Sequence, residues 1–169
     1  MNTISSGAER LLTTFGLGHF KPASGTWGSL PPVILGGAIL SFGLTNASTQ
    51  SIYDIVMVLV FVIFSAACVL WGNDAEMRWK KDPGQVVADE TAGMAVTLLM
   101  IPSAMLGTPG SAFLTLLGAF LLFRAFDILK PWPAGAMQNI RGGWGILLDD
   151  WVAGFMAGIV IWIIQWWMG

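Results

Sequence analysis

ILLDDWVAGFMAGIVIWIIQWWM, the stretch from Ile146 to Met168, contains only two charged residues, Asp149 and Asp150, and both lie near its start. A helix of this length and apolarity can cross the hydrocarbon core of a bilayer. Two adjacent carboxylates among Leu, Trp and Val are costly to bury, because like charges repel one another unless cations neutralise them. The stretch therefore predicts a membrane-spanning helix with a cation site near its start.

Four further apolar segments precede this one and indicate an integral membrane protein. Of the 169 residues, 55% are hydrophobic and 11% are charged, and the mean hydropathy is +0.71. We predict an all-α, polytopic membrane helical bundle that forms one domain over residues 1–169, with residues 1–24 as an N-terminal interfacial segment and residues 25–168 as the helical core. About five segments should be membrane-embedded: Leu30–Leu44, Ile52–Trp71, Ala92–Leu106, Ser111–Phe123 continuing towards Leu129, and Ile146–Met168. The third segment is short, so it either spans fully or is re-entrant.

The basic residues predict the orientation of the bundle. All eight lysines and arginines precede the first segment or lie in the second-to-third and fourth-to-fifth connections, and residues 45–51 and 107–110 contain none. Five crossings would place all eight on one side, which the positive-inside rule makes cytoplasmic. The net charge of −2 gives no reason to expect a nucleic acid partner. The single cysteine, Cys68, excludes a disulfide within the chain, and its place in an apolar run favours a packing role.

The first polar motif is GTWGS at residues 25–29, which leads into a helix that we expect to open near Ser29–Pro31. Glycines before a helix N-terminus let backbone N–H groups converge on a phosphate, and Thr26 and Ser29 add hydroxyl donors. The alternative is a capped turn that enters a membrane helix. The position of the motif beside the other charged motifs favours the phosphate interpretation for Gly25, Thr26, Gly28 and Ser29.

The second motif is the pair Asp89 and Glu90 at the start of the third segment. Adjacent carboxylates at a helix start can be simple N-terminal charges that the helix dipole stabilises. They can also be functional, because a carboxylate that enters a membrane is costly and is usually retained for a role.

The third motif is Arg124, Asp127 and Lys130, which are spaced by three and so lie on neighbouring turns of one helix. This arrangement suits internal ion pairing. It equally suits a site in which the basic groups hold a phosphate and Asp127 holds a metal.

The fourth motif joins the glycines of GGWG at residues 142–145 to Asp149 and Asp150. Taken together, the motifs offer five candidate metal ligands, Asp89, Glu90, Asp127, Asp149 and Asp150, and hard oxygen ligands prefer Mg²⁺. Counter-charge for an anion comes from Arg124, Lys130 and Arg141. Carboxylates, Mg²⁺ and basic groups beside a glycine-rich turn are the components of a phosphoryl-transfer site. The lone histidine, His19, and the lack of a P-loop motif argue against histidine-pair phosphatases and ATPases.

These motifs resemble those of the phosphatidylglycerophosphatase A family. The matching residues follow one another in order from Gly25 to Gly154: Gly25-Thr26-x-Gly28-Ser29, Asp89-Glu90-x-x-Gly93-Met94, Phe123-Arg124-x-Phe126-Asp127-x-x-Lys130-Pro131-x-Pro133, and Gly142-Gly143-x-Gly145-x-x-x-Asp149-Asp150-x-x-Ala153-Gly154. One departure is Ser24, where the family often has proline. The resemblance implies a Mg²⁺-dependent helical enzyme of the bacterial cytoplasmic (inner) membrane, which would hydrolyse phosphatidylglycerophosphate to phosphatidylglycerol and inorganic phosphate. It also implies that the acidic motif residues matter for activity.

The resulting hypothesis places the lipid headgroup among the cytoplasmic helix ends. Asp89, Asp127, Asp150 and Lys130 are the predicted catalytic residues, with Asp89 or Asp150 as a base or a covalent nucleophile. Lys130 and Arg124 would steady the phosphate oxygens. The alternatives are a small cation transporter or channel, a CDP-alcohol phosphotransferase-like enzyme, whose Asp-Gly and Ala-Arg arrangement is missing, and a structural membrane subunit. The sequence leaves open the oligomeric state and the breadth of lipid substrates.

Overall fold

Every regular element in the described part of the chain is a helix. The computed structural model describes residues 4–43, 47–80, 83–137, 140 and 142–168. The α-helices are α1 (Ser6–Leu12), α2 (Ser24–Ser41), α3 (Ala47–Arg78), α4 (Ala88–Leu99), α5 (Pro109–Leu129), α6 (Ala134–Met137) and α7 (Gly143–Met168), and short 3₁₀ helices cover Leu17–His19 and Ser103–Leu106. The predicted all-α class is confirmed.

Three of these helices, α3, α5 and α7, are long and apolar enough to cross a membrane. Their outward faces carry large apolar side chains, including Leu59 on α3 and Leu121 on α5, which are 52% and 57% exposed. Apolar surface on this scale is typical of helices that face lipid. Helices are stable there because they satisfy their backbone hydrogen bonds internally. The expectation of a helical membrane protein is confirmed, whereas the count of about five embedded segments stays a prediction.

Helix α4 forms the centre of the bundle. Its 12 residues extend about 18 Å, well short of the roughly 30 Å of bilayer hydrocarbon. It packs against α2, α3, α5 and α7, and every residue from Ala88 to Leu98 except Glu90 is buried. Glycines permit this close packing, since a Cβ at Gly154 of α7 would collide with the carbonyl oxygen of Gly93. The third apolar segment is therefore a short buried helix that ends at Leu99, followed by a 3₁₀ turn.

Helix α2 begins at Ser24, so the prediction of a helix start near Ser29–Pro31 is wrong. Proline lacks an N–H group, and Pro32 inside the helix leaves the carbonyl oxygen of Gly28 without its intrahelical donor. The hydroxyl of Thr91 donates to that oxygen at 2.8 Å instead. A tertiary hydrogen bond thus compensates for Pro32 inside the helix. The GTWGS motif forms the first turns of α2 rather than a loop.

The N-terminal segment packs against the bundle. The side chain of Leu12 in α1 is fully buried in a cluster with Ala67 and Ala75 of α3, and the N–H of Val87 donates to the Leu12 carbonyl oxygen at 2.9 Å. Phe15, beyond the end of α1, is 71% exposed. This packing fixes the residues that precede α4, and with them the position of its N-terminus.

The long helices alternate in direction, which gathers the polar motifs at one end of the bundle. The Tyr53 hydroxyl near the start of α3 donates to the carbonyl oxygen of Leu98 at the end of α4, at 3.1 Å. Gly143 at the start of α7 packs against Gly72 in the last part of α3. The N-termini of α2, α4 and α7 therefore share one end with the C-termini of α3 and α5.

A candidate active site at one end of the bundle

Three carboxylates from two helices converge on one point. Asp89 and Glu90 lie in the first turn of α4, and Asp150 lies near the start of α7. One oxygen of each lies within 4.8 Å of the others. The helices approach closely because Gly93 lies against the backbone of Asp150, where an added Cβ would be 2.6 Å from the carbonyl oxygen. These three residues, called the carboxylate trio below, are the group that could hold a metal ion in the described part of the structure.

The environment of the trio fits a bound cation. Asp89 and Asp150 are 8% and 2% exposed. Asp89 Oδ1, Glu90 Oε2 and Asp150 Oδ2 are buried and accept no hydrogen bond from the residues that the structure describes. Buried polar atoms are nearly always hydrogen-bonded, and neighbouring carboxylates repel one another. A hard divalent cation with a preference for oxygen ligands would satisfy these atoms and cancel the repulsion.

The other two predicted ligands, Asp127 and Asp149, are engaged by basic side chains. Arg124 donates to Asp127, and Lys130 donates to Asp149 and lies 3.8 Å from the second oxygen of Asp127. Arg124 Nη1 also reaches the hydroxyl oxygen of Ser29 at 3.4 Å. Ion pairing, one of the two arrangements considered for this motif, is thus present in the structure.

The end of α5 explains how Lys130 reaches α7. Lys130 caps the helix in a left-handed conformation, with φ 43° and ψ 53°, and its N–H donates to the carbonyl oxygen of Phe126.

The pKa of the Lys130 ammonium reflects two opposing effects. Burial alone lowers this pKa. The hydrogen bond and charge attraction to Asp149, with further attraction to Asp150 and Asp127, raise it above its ordinary value. Lys130 is therefore a fixed cation at neutral pH.

The start of α2 closes the site from a third side. A Cβ at Gly25 would collide with Glu90 Oε1 and would lie 2.9 Å from Arg124 Nη1, so any larger residue there would displace the ends of these two side chains. Ser29 is fully buried, and its hydroxyl donates to the Gly25 carbonyl oxygen at 2.7 Å. Of the remaining predicted phosphate residues, Gly28 packs against Val87, Thr26 is half-buried in the first turn of α2, and Arg141 lies outside the described residues.

Two threonines beside the site, Thr14 and Thr91, were not predicted from the sequence. Thr91 Oγ1 donates to the carbonyl oxygen of Gly28 and lies 2.7 Å from Thr14 Oγ1. These contacts join α2, α4 and the N-terminal segment next to Asp89 and Glu90. Thr14 adopts a positive φ of 45°, so its hydroxyl is placed by a backbone conformation that the sequence does not signal. No motif marks either residue, because Thr14 lies beyond the end of α1 and Thr91 occupies an unspecified position of Asp89-Glu90-x-x-Gly93-Met94.

Comparison with known proteins decides the family. A model of the family described as phosphatidylglycerophosphatase A matches residues 10–165. The chain belongs to this family. The match confirms the family predicted from the sequence motifs.

Individual relatives match over almost the whole chain. The chain is 38% identical to phosphatidylglycerophosphatase A of Haemophilus influenzae, over 94% of this chain and 88% of the relative. It is 33% identical to a Bacteroides thetaiotaomicron protein named "Putative phosphatidylinositol-3-phosphatase", over 93% and 92%. Identity to phosphatidylglycerophosphatase A of Escherichia coli is 32%, over 93% and 83%. No solved structure matches.

Proposed function

We propose that this protein hydrolyses the terminal phosphomonoester of phosphatidylglycerophosphate, giving phosphatidylglycerol and inorganic phosphate. The observation that carries the proposal is the carboxylate trio in a member of this family. One buried oxygen of each carboxylate accepts no hydrogen bond from the described residues, and the cations Arg124 and Lys130 lie nearby. The bond between phosphorus and the glycerol oxygen breaks, the glycerol oxygen takes a proton, and one oxygen from water ends in the released phosphate.

Asp89, Glu90 and Asp150 would hold Mg²⁺. Their donor set contains only carboxylate oxygens, which suits Mg²⁺ better than the softer metals that select histidine or cysteine. When bound, the ion would neutralise phosphate charge and lower the pKa of a water molecule.

Two basic residues, Arg124 and Lys130, would bind the substrate phosphate. Arg124 and Lys130 approach from the end of α5 and present positive charge next to the trio, where the equatorial phosphate oxygens gain charge during transfer. Asp127 contacts both cations, so it orients them towards one anion. Asp149 holds Lys130 in place, which makes Asp149 a positioning residue in this proposal. Because Gly25 lacks a side chain, the ends of Glu90 and Arg124 can both approach the start of α2.

The site would face the cytoplasm of a bacterial cell, at the inner membrane. The alternating directions of α2, α3, α4, α5 and α7 support five embedded segments, and such a topology puts every basic residue on the side of the carboxylate trio. The positive-inside rule assigns that side to the cytoplasm. The substrate's acyl chains would stay in the same leaflet while its headgroup reaches the helix ends.

The test is phosphate release by purified protein in detergent micelles, with Mg²⁺ and then with excess EDTA. Release from phosphatidylglycerophosphate that requires Mg²⁺ supports the proposal. Phosphatidic acid and phosphatidylinositol 3-phosphate serve as comparison substrates, because one relative carries a name with the latter lipid. Cation flux into liposomes without release of phosphate from any lipid would instead favour the transporter alternative.

A further inference from the structure

The residues that follow Asp127 expose large apolar side chains next to the candidate active site. Asp127 is buried and contacts the two cations, whereas the next two residues, Ile128 and Leu129, are 67% and 77% exposed. Trp132, which stands between two prolines beyond the end of α5, is 83% exposed. Ile128, Leu129 and Trp132 are called the apolar rim below. An exposed apolar cluster of this kind marks a surface that meets lipid or another protein.

The length of α5 places the apolar rim where bilayer hydrocarbon ends. The 21 residues of α5 extend about 32 Å, close to the roughly 30 Å of bilayer hydrocarbon. Because α5 ends at Leu129, a helix that fills the hydrocarbon brings Lys130 and Trp132 into the interfacial layer, where lipid headgroups lie. Tryptophan is enriched in this layer, since its ring is apolar and its N–H is polar. Lys130 is therefore level with the headgroups rather than beyond them in water.

Lys130 is also the most accessible member of the ion-paired cluster around Asp127. Its side chain is 26% exposed, compared with 12% for Arg124 and at most 9% for Asp127 and Asp149. Two members of the apolar rim, Leu129 and Trp132, lie on either side of Lys130 in the chain. A molecule that approaches the cluster past Lys130 thus meets a positive charge and an apolar surface together, and a membrane phospholipid has a matching group for each.

We infer that the apolar rim is the place where the lipid substrate enters the site sideways from the leaflet, an inference that rests on the proposed function. The rim contacts the part of the lipid near the acylated glycerol, while the terminal phosphate turns inwards to Lys130. The occupant is one phospholipid of the surrounding leaflet. The free headgroup in water has no apolar part, so it gains nothing from the rim.

The kinetic test replaces Trp132 and measures phosphate release in mixed micelles. Trp132→Ala should raise KM for dioleoyl phosphatidylglycerophosphate, expressed as a mole fraction, roughly tenfold, because the lipid loses its contact with one large apolar side chain. It should leave kcat on the lipid unchanged. The rate on the water-soluble deacylated headgroup should stay at the wild-type value.

Two further variants show whether the effect belongs to the apolar rim. Trp132→Tyr should keep the wild-type KM, since tyrosine is also enriched in the interfacial layer. The matched control is Trp166→Ala, which removes a similarly exposed tryptophan at the opposite end of the bundle. It should change the kinetics on neither substrate.

A second readout needs no catalysis and locates the apolar rim directly. Cys68 is the only cysteine and is fully buried, so a nitroxide attaches selectively to a cysteine introduced at the surface. The comparison positions are Met77, exposed near the end of α3, and Leu121, exposed on α5. In vesicles of phosphatidylethanolamine and phosphatidylglycerol, the nitroxide of Trp132→Cys should collide with a water-soluble nickel chelate less often than that of Met77→Cys. It should collide with dissolved oxygen less often than the nitroxide of Leu121→Cys.

The outcomes separate this inference from the proposed function. Equal loss on lipid and headgroup, an unchanged KM for the lipid, or nickel collisions at Trp132→Cys equal to those at Met77→Cys would overturn the inference. A wild-type dimer that Trp132→Ala converts to a monomer would overturn it too, in favour of an interface between copies. Phosphate release from no substrate would overturn the proposed function, whereas the nitroxide measurements would still decide whether the rim lies in the membrane.

Discussion

The substitution Asp150→Asn should raise the stability of the metal-free protein while it abolishes activity. One oxygen of Asp150 lies within 4.8 Å of those of Asp89 and Glu90. At an effective dielectric constant of about 20, two unit charges at that distance repel by about 3.5 kcal/mol. Removing Asp150 abolishes two such repulsions, together about 7 kcal/mol when all three groups are ionised and 4.8 Å apart. The amide keeps the size of the side chain, so packing should be preserved.

With Mg²⁺ bound, wild-type protein should be more stable than Asp150→Asn, the reverse of their order without metal. A bound ion stabilises only the folded protein, by about 2.7 kcal/mol when its concentration is 100 times the dissociation constant. Wild-type protein should gain this stability with Mg²⁺, and Asp150→Asn should gain little because one of three ligands has lost its charge. Phosphate release should fall at least about 100-fold, since the contribution of a catalytic metal is several kcal/mol.

The assay follows tryptophan fluorescence during heating in detergent, in EDTA and in Mg²⁺, together with phosphate release. Asp54→Asn is the matched control, because Asp54 is exposed near the start of α3, at the opposite end of the bundle from the trio. It should leave the melting temperatures and the activity unchanged. An Asp150→Asn protein that melts below wild type in EDTA, or that retains the wild-type shift with Mg²⁺, would refute the trio as a cation site.

Three further substitutions probe the surroundings of the trio. Gly25→Ala should lower kcat/KM at least about tenfold, because its methyl displaces neighbouring site residues, whereas Gly37→Ala on the same helix meets only an ordinary contact at 3.5 Å and should remain fully active. Arg124→Lys should raise KM about tenfold for lack of a planar two-point donor; an unchanged KM would contradict a phosphate contact. Thr91→Val should lower the free energy of unfolding by about 1–3 kcal/mol in a denaturation series, because the Gly28 carbonyl oxygen loses its donor. Stability equal to wild type would show that another group satisfies that oxygen.

The start of α2 shows where prediction from sequence failed. Pro31 and Pro32 ordinarily mark the beginning of a helix, because proline cannot donate to a preceding carbonyl. The hydroxyl of Thr91 supplies the missing donor for one carbonyl, and that residue lies 63 positions from Gly28. A bond between such distant residues leaves no local signal, so the helix extends several residues further than the pattern predicts.

The helical bundle, its membrane environment and its family were determined by the sequence alone. Long apolar runs must form helices in lipid, since every backbone hydrogen bond has to be made within the segment, and the motif residues identify the family. Alternation of basic and uncharged connections likewise predicts that the polar motifs meet at one end. These properties depend on composition and short spacing, which the chain displays directly.

Only the tertiary structure decided which of the five predicted carboxylate ligands lie together and which pair with basic side chains. Glu90 and Asp150 are 60 residues apart, and they meet because Gly93 lets α4 approach the backbone of α7. Asp149, the immediate neighbour of Asp150, instead accepts from Lys130, which the left-handed end of α5 turns towards it. Adjacent residues of a helix point about 100° apart, so which of them enters a shared cavity depends on how the helices are rotated against one another. That rotation is set by packing across the whole bundle.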